Sequence, residues 1–444
     1  MEEATSQGDI RFWAATDVGR VRDHNEDNFL VDRKLNLFIV ADGMGGHAAG
    51  EVASALAVNT VREVVSRNQD MISELRDENP ATTRRDVLNL LERAVQDACT
   101  AIHEIALAQS EKRGMGTTLS ALLVIGHRGF IAHVGDSRIY LVRVGKVHQL
   151  TEDHSLINEL VKRGKIKKEE AADSPYRNAV TRAVGVYPSV EVDTLDFDAV
   201  PGDQFILASD GLTGYLKEHE IPAMLDASDV RTIPDRLIDL ANERGGRDNI
   251  TCVIVRLQEE PGVAERLRRE VNLKIDALKG MPLFRYLMHA EVLRVLNHTE
   301  IRELPAGMAI VKEGETGEEL FIILEGECIV TKGGSDIARL TQGAHFGEMA
   351  LVDNSPRSAT VTALGPSRML VLSRNEFFTI IRKEPKTANK LMWSFLQVLT
   401  ARLRETSEEL RGARQAGFDM EKEPDTILST QIFDMEENAP DSNP

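Results

Sequence analysis

The spacing of strand-like segments in the first half of the chain constrains its fold more than any other feature. Four runs rich in β-branched residues follow one another with few residues between them: 118–125, 129–134, 138–144 and 146–150. Parallel strands need crossovers of roughly a dozen residues or more, so these short connections predict antiparallel hairpins. Two segments with helical periodicity, 50–68 and 85–110, accompany them. Long helices beside an antiparallel sheet predict an α+β sandwich.

Length and composition indicate two domains. At 444 residues, with 42% apolar and 28% charged residues, the chain exceeds what one hydrophobic core usually serves. Behind a charged helical segment, 259–297, a glycine-punctuated β-rich region at 303–372 predicts a small barrel or β-jelly-roll with flanking helices. The predicted parts are an N-terminal extension at 1–9, a first domain at 10–257, a helical linker at 258–280, a second domain at 281–411 and an acidic disordered tail at 412–444.

Charge and cysteine usage narrow the class of protein. A net charge of −18 argues against nonspecific binding to nucleic acid or anionic lipid, since both need clustered positive charge. Neither a signal peptide nor a run of about 18 apolar residues is found, so no membrane span is predicted. The cysteines Cys99, Cys252 and Cys328 lie far apart and form no metal-binding spacing. These features predict a cytoplasmic protein.

Aspartates recur at the ends of predicted strands. Asp42, Asp136 and Asp210 each follow an apolar run, and Asp27 and Asp248 each precede one. Neighbouring antiparallel strands run in opposite directions, so acids at both kinds of position can gather on one rim of a sheet. Clustered carboxylates repel one another unless a cation neutralises them, and hard divalent cations prefer oxygen ligands. Because no His or Cys accompanies them in zinc-like spacing, Mg²⁺ or Mn²⁺ is favoured.

Taken singly, these acidic motifs are ordinary turn chemistry. Taken together, six segments resemble, in order, the motifs of protein phosphatase 2C, the metal-dependent protein phosphatases. The segments are Arg22-Asp23-His24-Asn25-Glu26-Asp27, Asp42-Gly43-Met44-Gly45-Gly46-His47, Gly114-Met115-Gly116-Thr117-Thr118, Gly135-Asp136-Ser137-Arg138, Ser209-Asp210-Gly211 and Gly246-Arg247-Asp248-Asn249. The resemblance covers about residues 10–257. It implies a bacterial-like αββα catalytic domain that removes phosphate from serine and threonine in phosphorylated proteins.

The resemblance also implies a binuclear Mn²⁺ or Mg²⁺ centre. By motif position, Asp42 would bridge both metals, and the carbonyl of Gly43 would bind one of them. Asp210 and Asp248 would bind the metal on the other side. Asp136 matches the position that bacterial-type members link to a third, weaker metal.

Further roles follow from the same motif positions. Glu26 and Asp27 would act through coordinated waters, and Arg22 would hold the substrate phosphate, which suits a planar, permanently charged guanidinium. A metal-activated water would attack phosphorus directly, so no Ser, Cys or His nucleophile and no phosphoenzyme are expected.

One departure from the family pattern concerns the general acid. Some eukaryotic relatives carry a His two residues after the bridging aspartate, whereas this chain has Met44. A metal-bound water is the favoured proton donor to the leaving group. For His47 and His154 a loop or packing role is favoured over that of acid. The segment 151–185 resembles the family's flap, and a solvated surface helix is an equal alternative.

A second chemical pattern lies in the segment 346–361. Gly347 stands at the start of a predicted short helix, Glu348 follows it, and Arg357 comes nine residues later. A helix N-terminus offers N–H groups to an anion, and an arginine supplies opposing charge. On chemistry alone, a Gly-Pro loop with a surface salt bridge is favoured. With 313–315 and 321–326 upstream, however, the segment resembles the phosphate-binding cassette of cyclic-nucleotide-binding domains over about 281–404.

This second resemblance implies a cyclic nucleotide ligand. Glu348 would bond the ribose 2′-hydroxyl, Arg357 the cyclic phosphate, and Ser358 with nearby amides would complete the cradle. The implied contact residues are Gly347, Glu348, Met349, Ala350, Arg357, Ser358 and Ala359. Cyclic AMP and cyclic GMP both remain candidates, and a serine rather than a threonine after the arginine favours cyclic AMP.

Two functional hypotheses from different classes remain open. The first is a phosphatase whose activity is set by the nucleotide through the connector 258–297, and the second is a nucleotide-sensing scaffold with a degenerate phosphatase fold. The complete set of aspartates argues against the second. The oligomeric state stays open: apolar residues at 392, 396, 399, 403 and 410 are compatible with a dimer seam, but packing against the chain's own barrel is favoured.

Overall fold

The computed structural model describes residues 10–45, 49–167, 170, 179–226, 229–258 and 262–418. Contacts along the chain divide it into two units, Met1–Leu391 and Met392–Pro444. Within the described ranges, no helix is both long enough and apolar enough to cross a membrane.

The first β-rich region of unit one forms two antiparallel sheets. Its strands are β1 (Ile10–Asp17), β2 (Asp27–Asp32), β3 (Leu37–Met44), β4 (Gly116–Thr117), β5 (Leu119–Ile125), β6 (Arg128–Val134), β7 (Arg138–Arg143), β8 (Lys146–Gln149), β9 (Asp193–Asp198), β10 (Gln204–Ala208) and β11 (Ile250–Leu257). One sheet has the order β1-β11-β10-β7-β8, and the other has the order β2-β3-β5-β6-β9 with β4 paired to β3. The rings of Phe12 and Phe38 lie 5.9 Å apart, and those of Phe197 and Phe205 lie 5.7 Å apart. These contacts join the sheets face to face.

Helices cover the outer faces of both sheets. They are α1 (Ala49–Arg67), α2 (Gln69–Arg76), α3 (Arg84–Ala108), α4 (Leu156–Lys162), α5 (Asp210–Thr213), α6 (Ile221–Leu225) and α7 (Ile233–Glu243). Alternation along β3 sends Leu37 and Ile39 into the core shared with α1 and α3, while Phe38 faces the other sheet. Leu237 of α7 packs in the core of that other sheet. The predicted αββα sandwich is confirmed.

Helix ends show where local sequence decides structure. α3 begins at a capping box, in which the Thr83 hydroxyl accepts from Asp86 N and the Asp86 carboxylate accepts from Thr83 N at 2.8 Å. The helices predicted at 50–68 and 85–110 are present with slightly different ends. The short α2 between them was not predicted, because it follows α1 with only Asn68 between them.

The connector behind β11 is helical, as the sequence predicts. It contains α8 (Val263–Gly280) and α9 (His289–Leu296), separated by a short 3₁₀ turn that starts at Pro282. Leu278, Phe284 and Val292 are fully buried. Pro261, the predicted start of the helix, lies outside the described residues.

The second β-rich region of unit one is a pair of four-stranded antiparallel sheets. Its strands are β12 (Glu300–Leu304), β13 (Ala309–Val311), β14 (Glu319–Glu325), β15 (Cys328–Lys332), β16 (Ser335–Leu340), β17 (His345–Phe346), β18 (Thr360–Ala363) and β19 (Ser367–Ser373). The strand orders are β12-β19-β14-β17 and β13-β18-β15-β16. Phe321, Val361 and Val371 share one core between the two sheets. The predicted β-jelly-roll with flanking helices is confirmed.

Two helices follow the last strand. They are α10 (Arg374–Lys383) and α11 (Pro385–Phe418). The sequence predicts a helical stretch at 375–411, and this stretch forms two helices because Pro385 has no N–H to continue α10 and begins a new helix instead. The apolar residues Met392, Leu396 and Leu403 of the predicted row lie on α11, in the second unit.

Candidate functional site

The aspartates predicted as metal ligands are contributed by both sheets of the sandwich. Asp27 and Asp42 are paired across β2 and β3, and Asp136 lies in the turn after β6 of the same sheet. Asp210 opens α5 directly after β10, and Asp248 lies just before β11, in the second sheet. The aspartates therefore come from the rims of two sheets and not of one. Hairpin spacing alone does not reveal which strands share a sheet. We call these five residues the acidic cluster.

The aspartates of the acidic cluster raise one another's pKa values. Burial, followed by the charges of Asp27, Asp210, Asp136 and Asp248, raises the pKa of the Asp42 carboxyl well above its ordinary value. Burial likewise raises the pKa of Asp27 to about 7, of Asp136 to about 8 and of Asp210 to about 6. The charges of Arg22 and Arg138 oppose this rise in pKa at Asp210, but they do not offset burial and the neighbouring carboxylates.

Unpartnered oxygens point to the same need. Asp27 Oδ1, Asp210 Oδ1 and Glu26 Oε1 are buried, with no hydrogen-bond partner in the described part of the chain. Buried polar atoms are normally satisfied, so each of these oxygens calls for a donor or a cation. A donor set of carboxylates with a nearby backbone carbonyl suits Mg²⁺ or Mn²⁺.

Gly43 allows the close approach that brings Glu26 beside Asp42. A Cβ atom at Gly43 would lie 2.2 Å from the carbonyl oxygen of Gly50 and 2.5 Å from that of Glu26. The Gly43 N–H donates to this Glu26 carbonyl at 3.1 Å. Only glycine fits here, and burial raises the pKa of the Glu26 carboxyl.

Two threonines hold the backbone of Asp42. The Thr118 hydroxyl accepts from Asp42 N at 2.9 Å, and Thr118 N donates to Asp42 O at 2.8 Å. The Thr117 hydroxyl donates to the same carbonyl at 2.9 Å. Both threonines belong to the motif at 114–118, for which the sequence alone predicts no role. Their role is to fix β3 where Asp42 enters the acidic cluster.

Asn249 and Ser209 were missed as site residues. The Asn249 amide donates to His24 O at 2.8 Å and accepts from Glu26 N at 2.8 Å, which ties the loop before β2 to β11. The Ser209 hydroxyl donates to Asp27 Oδ2 at 2.8 Å and so joins the two sheets. Their position next to predicted ligands was the one sequence signal available.

Arg22 lies at the solvent side of the acidic cluster. Its Nη2 donates to Asp248 Oδ2 at 2.8 Å, and its side chain is 47% exposed. This hydrogen bond raises the pKa of Arg22. In the described residues, no group of three or more His, Cys, Asp and Glu side chains is arranged so that it could hold a metal ion as it stands. One oxygen of Asp248 is instead occupied by Arg22.

The turn that carries Asp136 is held by a buried histidine. Gly135 N donates to His154 Nδ1 at 3.1 Å, and His154 N donates back to Gly135 O at 2.7 Å. His154 Nε2 lies 3.1 Å from Asp193 Oδ2. Both ring nitrogens of His154 are thus engaged in packing the turn. His47 and much of the predicted flap, at 168–169 and 171–178, lie outside the described residues.

In the predicted nucleotide-binding cassette, 346–361, the side chain of Arg357 lies against two glycines. Gly347 adopts φ 82° and caps a 3₁₀ helix, Glu348–Leu351. Arg357 Nη2 donates to Glu319 O at 2.9 Å, and Arg357 Nη1 donates to Gly347 O at 3.4 Å. A Cβ atom at Gly317 would lie 2.4 Å from Arg357 Nε, and one at Gly347 would lie 2.5 Å from Nη1. Both glycines therefore make room for the guanidinium.

The predicted nucleotide-contacting residues differ in their exposure and in their relation to Arg357. The charge of Glu348 acts on Arg357, whose pKa is lowered by burial. Ala350 is buried, Ala359 is half-buried, and Met349 and Ser358 are exposed. Arg357 Nε is buried and has no hydrogen-bond partner among the described residues.

Comparison with known proteins gives matches in both β-rich regions. Residues 20–255, more than half of the chain, match the family model described as Protein phosphatase 2C, and residues 301–384 match the one described as Cyclic nucleotide-binding domain. The chain is 39% identical over 246 residues to the Serine/threonine phosphatase stp of Listeria innocua, covering 54% of this chain and 93% of that relative. It is 39% identical over 252 residues to the Protein phosphatase PhpP of Streptococcus pneumoniae, covering 55% and 96%. A solved structure of the Mycobacterium tuberculosis serine/threonine phosphatase PstP/Ppp is 37% identical with a TM-score of 0.50, covering 56% of this chain and 99% of that one.

Proposed function

The chain belongs to the protein phosphatase 2C family, and we propose that it removes phosphate from phosphoserine and phosphothreonine in proteins with Mn²⁺ or Mg²⁺, under control of a cyclic nucleotide. The observation that carries this proposal is the acidic cluster, whose raised pKa values and unpartnered oxygens fit a cation, with Arg22 at its solvent side. The match of residues 301–384 to the cyclic nucleotide-binding family supports the regulatory part.

The metal-holding residues are assigned by combining motif position with the donor chemistry of the site. Asp42, the Gly43 carbonyl, Asp210 and Asp248 would hold the cations directly, Glu26 and Asp27 would act through waters, and Asp136 would serve a third, weaker position. Bound cations supply the charge that lowers the pKa of the attacking water and neutralises the phosphoryl oxygens.

Arg22 gives the site its attraction for phosphate. A phosphoryl group is anionic, so the acidic cluster alone would repel it. The half-exposed guanidinium can turn one edge toward the substrate, because its contact with Asp248 involves only Nη2 among the described hydrogen bonds. Arg22 therefore binds and orients the phosphate, while Asn249 and Thr118 keep the surrounding backbone in place.

In the second domain, the predicted ligand is a cyclic nucleotide. Arg357, which is half-buried with its Nε inside, serves the cyclic phosphate, and Glu348 serves the ribose 2′-hydroxyl. The left-handed Gly347 supports this assignment, because it leads the chain into the 3₁₀ helix Glu348–Leu351, whose first amides would donate to the cyclic phosphate. We favour cyclic AMP over cyclic GMP because Ser358, and not a threonine, follows the arginine.

The test is hydrolysis of phosphoserine and phosphothreonine peptides by the full chain. We expect phosphate release with Mn²⁺ or Mg²⁺, its loss in excess chelator, and a change in rate at lower concentrations of cyclic AMP than of cyclic GMP. Absence of hydrolysis with either metal would overturn the enzymatic proposal and favour the nucleotide-sensing scaffold. Equal rates with and without either nucleotide would overturn only the regulatory part.

A further inference from the structure

We propose that Glu152 is a positioning residue that links the turn carrying Asp136 to the nucleotide-binding domain through its ion pair with Lys386. Glu152 lies between β8 and α4, and Lys386 lies in the first turn of α11. The distance from Lys386 Nζ to Glu152 Oε2 is 3.1 Å. This inference deepens the proposed function and rests on it, because it names the contact through which the nucleotide acts on the acidic cluster.

On the catalytic side, the segment around Glu152 is hydrogen-bonded to the residues just before Asp136. The carbonyl of Glu152 accepts from Nε2 of His133, the residue two positions before Gly135. Two residues after Glu152, His154 exchanges hydrogen bonds with both backbone groups of Gly135. Residues 152–154 therefore contact the chain directly before Asp136.

Hydrogen bonds and ring packing hold residues 152–154 firmly against the Asp136 turn. Asp153 accepts from Arg138 Nε at 2.8 Å and from Arg138 Nη2 at 2.6 Å, and Arg138 stands two residues after Asp136. The buried rings of His133 and His154 lie 4.9 Å apart. Close-packed groups transmit a shift rather than absorb it. A movement of Glu152 therefore reaches the Asp136 turn from both sides.

On the nucleotide side, α10 joins the cassette to Lys386. The carbonyl of Asp353, just behind the cassette's 3₁₀ helix, accepts from Nη2 of Arg374, the first residue of α10. The ten residues of α10 end at Lys383, and α11 starts at Pro385. A change in the cassette is therefore carried along one short helix to Lys386.

Glu152 is placed to respond to this movement. Its carboxylate is shared between Lys386 and Lys162 of α4. Burial, followed by the charges of Lys386 and Lys390, lowers the pKa of Lys162 to about 8. Lys162 contacts Oε1 of Glu152 and Lys386 contacts Oε2, so removal of Lys386 leaves the carboxylate paired with α4 alone. The pair is half-exposed, with side chains 50% and 37% exposed, so it contributes little to folding stability.

Two further hydrogen bonds between the two domains lie away from Glu152. The Asn297 amide donates to the carbonyl of Asp196 at 2.9 Å, and Arg294 Nη2 donates to the carbonyl of Thr194 at 3.3 Å. These contacts anchor the helix α9 on the edge strand β9. They do not involve the segment 152–154.

Hydrogen exchange of the full chain, with and without cyclic AMP, tests this link. We compare the wild type with Lys386→Gln, with the conservative Lys386→Arg, and with Lys383→Gln, a matched change at an exposed lysine of α10. Cyclic AMP is expected to alter exchange in the cassette of all four proteins. It is expected to alter exchange at 150–156 in all except Lys386→Gln. The effect of cyclic AMP on kcat is expected to be lost in that variant alone, with basal kcat unchanged.

The alternative outcomes separate the two proposals. A wild-type response in the cassette without one at 150–156, or a full response at 150–156 in Lys386→Gln, overturns the link and leaves nucleotide binding intact. Equal loss in Lys386→Arg and Lys386→Gln also overturns it, since a charge-dependent pair tolerates arginine. A wild-type cassette that does not respond to cyclic AMP or cyclic GMP overturns the nucleotide part of the proposed function, and this inference with it.

Discussion

Asp27 and Asp42 lie directly opposite each other in the register of β2 and β3, with their carboxyls in one acidic cluster. Directly opposed like charges destabilise a pair of strands. The surrounding fold holds them together nonetheless, through Ser209 at Asp27 and Thr118 at Asp42. Repulsion between the two carboxylates destabilises the metal-free protein, and a bound cation would relieve this repulsion.

The first prediction concerns the pH dependence of the metal-free protein. The folded-state pKa values of Asp27, about 7, and Asp136, about 8, are raised above those of unfolded aspartate. The folded state therefore binds more protons than the unfolded state, and stability falls as pH rises through these values. In chelator, we expect the unfolding temperature to drop between about pH 6.5 and about pH 8.5, and Mn²⁺ to restore it.

The histidines do not mask this trend. Burial lowers the pKa of His133 to about 3, of His148 to about 4 and of His289 to about 2. Stability therefore changes with their ionisation only up to the ordinary histidine pKa of about 6.5. Asp136→Asn removes one titrating group and is expected to flatten the slope. A metal-free protein whose unfolding temperature stays constant over this range would contradict the account.

The second prediction concerns substrate binding. Arg22→Ala is expected to raise KM for a phosphopeptide by about 10- to 100-fold, since hydrogen bonds to charged groups contribute about 1.5–3 kcal/mol. Steady-state kinetics at saturating Mn²⁺ measures this. The matched control is Arg62→Ala, because Arg62 also pairs with an aspartate, Asp32 at 2.8 Å, but outside the acidic cluster. An unchanged KM in Arg22→Ala would remove Arg22 from the phosphate site.

The third prediction isolates the space around Arg357. Gly347→Ala places a Cβ 2.5 Å from Arg357 Nη1 and 2.6 Å from the carbonyl oxygen of Glu319, which itself accepts from Arg357, while Gly334→Ala meets nothing within 4 Å at nearly the same φ, +83° against +82°. The two variants share the strain of a positive φ, and only the first crowds the guanidinium and the carbonyl that it binds. We expect Gly347→Ala to weaken binding of a fluorescent cyclic AMP by at least about tenfold and Gly334→Ala to leave it near wild type. Equal affinities would show that the position of Arg357 does not matter for the ligand.

The fourth prediction concerns a buried ion pair inside the sandwich. Arg143 Nη2 lies 2.6 Å from Asp203 Oδ2, and the two side chains are 3% and 1% exposed. Removing one partner leaves a buried charge uncompensated, so Arg143→Ala should lower the free energy of unfolding by about 3–5 kcal/mol. Denaturant unfolding with Mn²⁺ present measures this loss. Arg67→Ala breaks an exposed pair with Glu63 and should cost only about 0.5 kcal/mol or less; comparable losses would argue against burial as the cause.

Local sequence determined much of this fold, and long-range placement explains the rest. Hairpin spacing predicted the antiparallel strands, because a short connection admits one geometry. The gathering of Asp210 and Asp248 with Asp27 and Asp42 depends on two sheets stacking, which no local pattern encodes. The break between α10 and α11 at Pro385 has a local cause, because proline lacks the N–H that would continue α10.

The supporting residues were hardest to predict. Asn249 acts through contacts to the loop before β2, more than two hundred residues away, and Glu152 meets Lys386 at a separation of 234 positions. Such pairs have no signature in a single sequence, since either residue alone is an ordinary surface or turn residue. Motif position located the acids but not the groups that hold them.

Phosphate release by Asp42→Asn tests the central claim most directly. The full chain is assayed on a phosphothreonine peptide with Mn²⁺, beside wild type and Asp32→Asn, the same change at a β2 residue that pairs with Leu37 of β3 outside the acidic cluster. Asp42→Asn should fold like wild type and lose at least about 100-fold in kcat, because several kcal/mol of transition-state stabilisation depend on the cation site. Asp32→Asn should keep its activity. If Asp42→Asn hydrolysed the peptide at the wild-type rate, the acidic cluster would not be the catalytic centre.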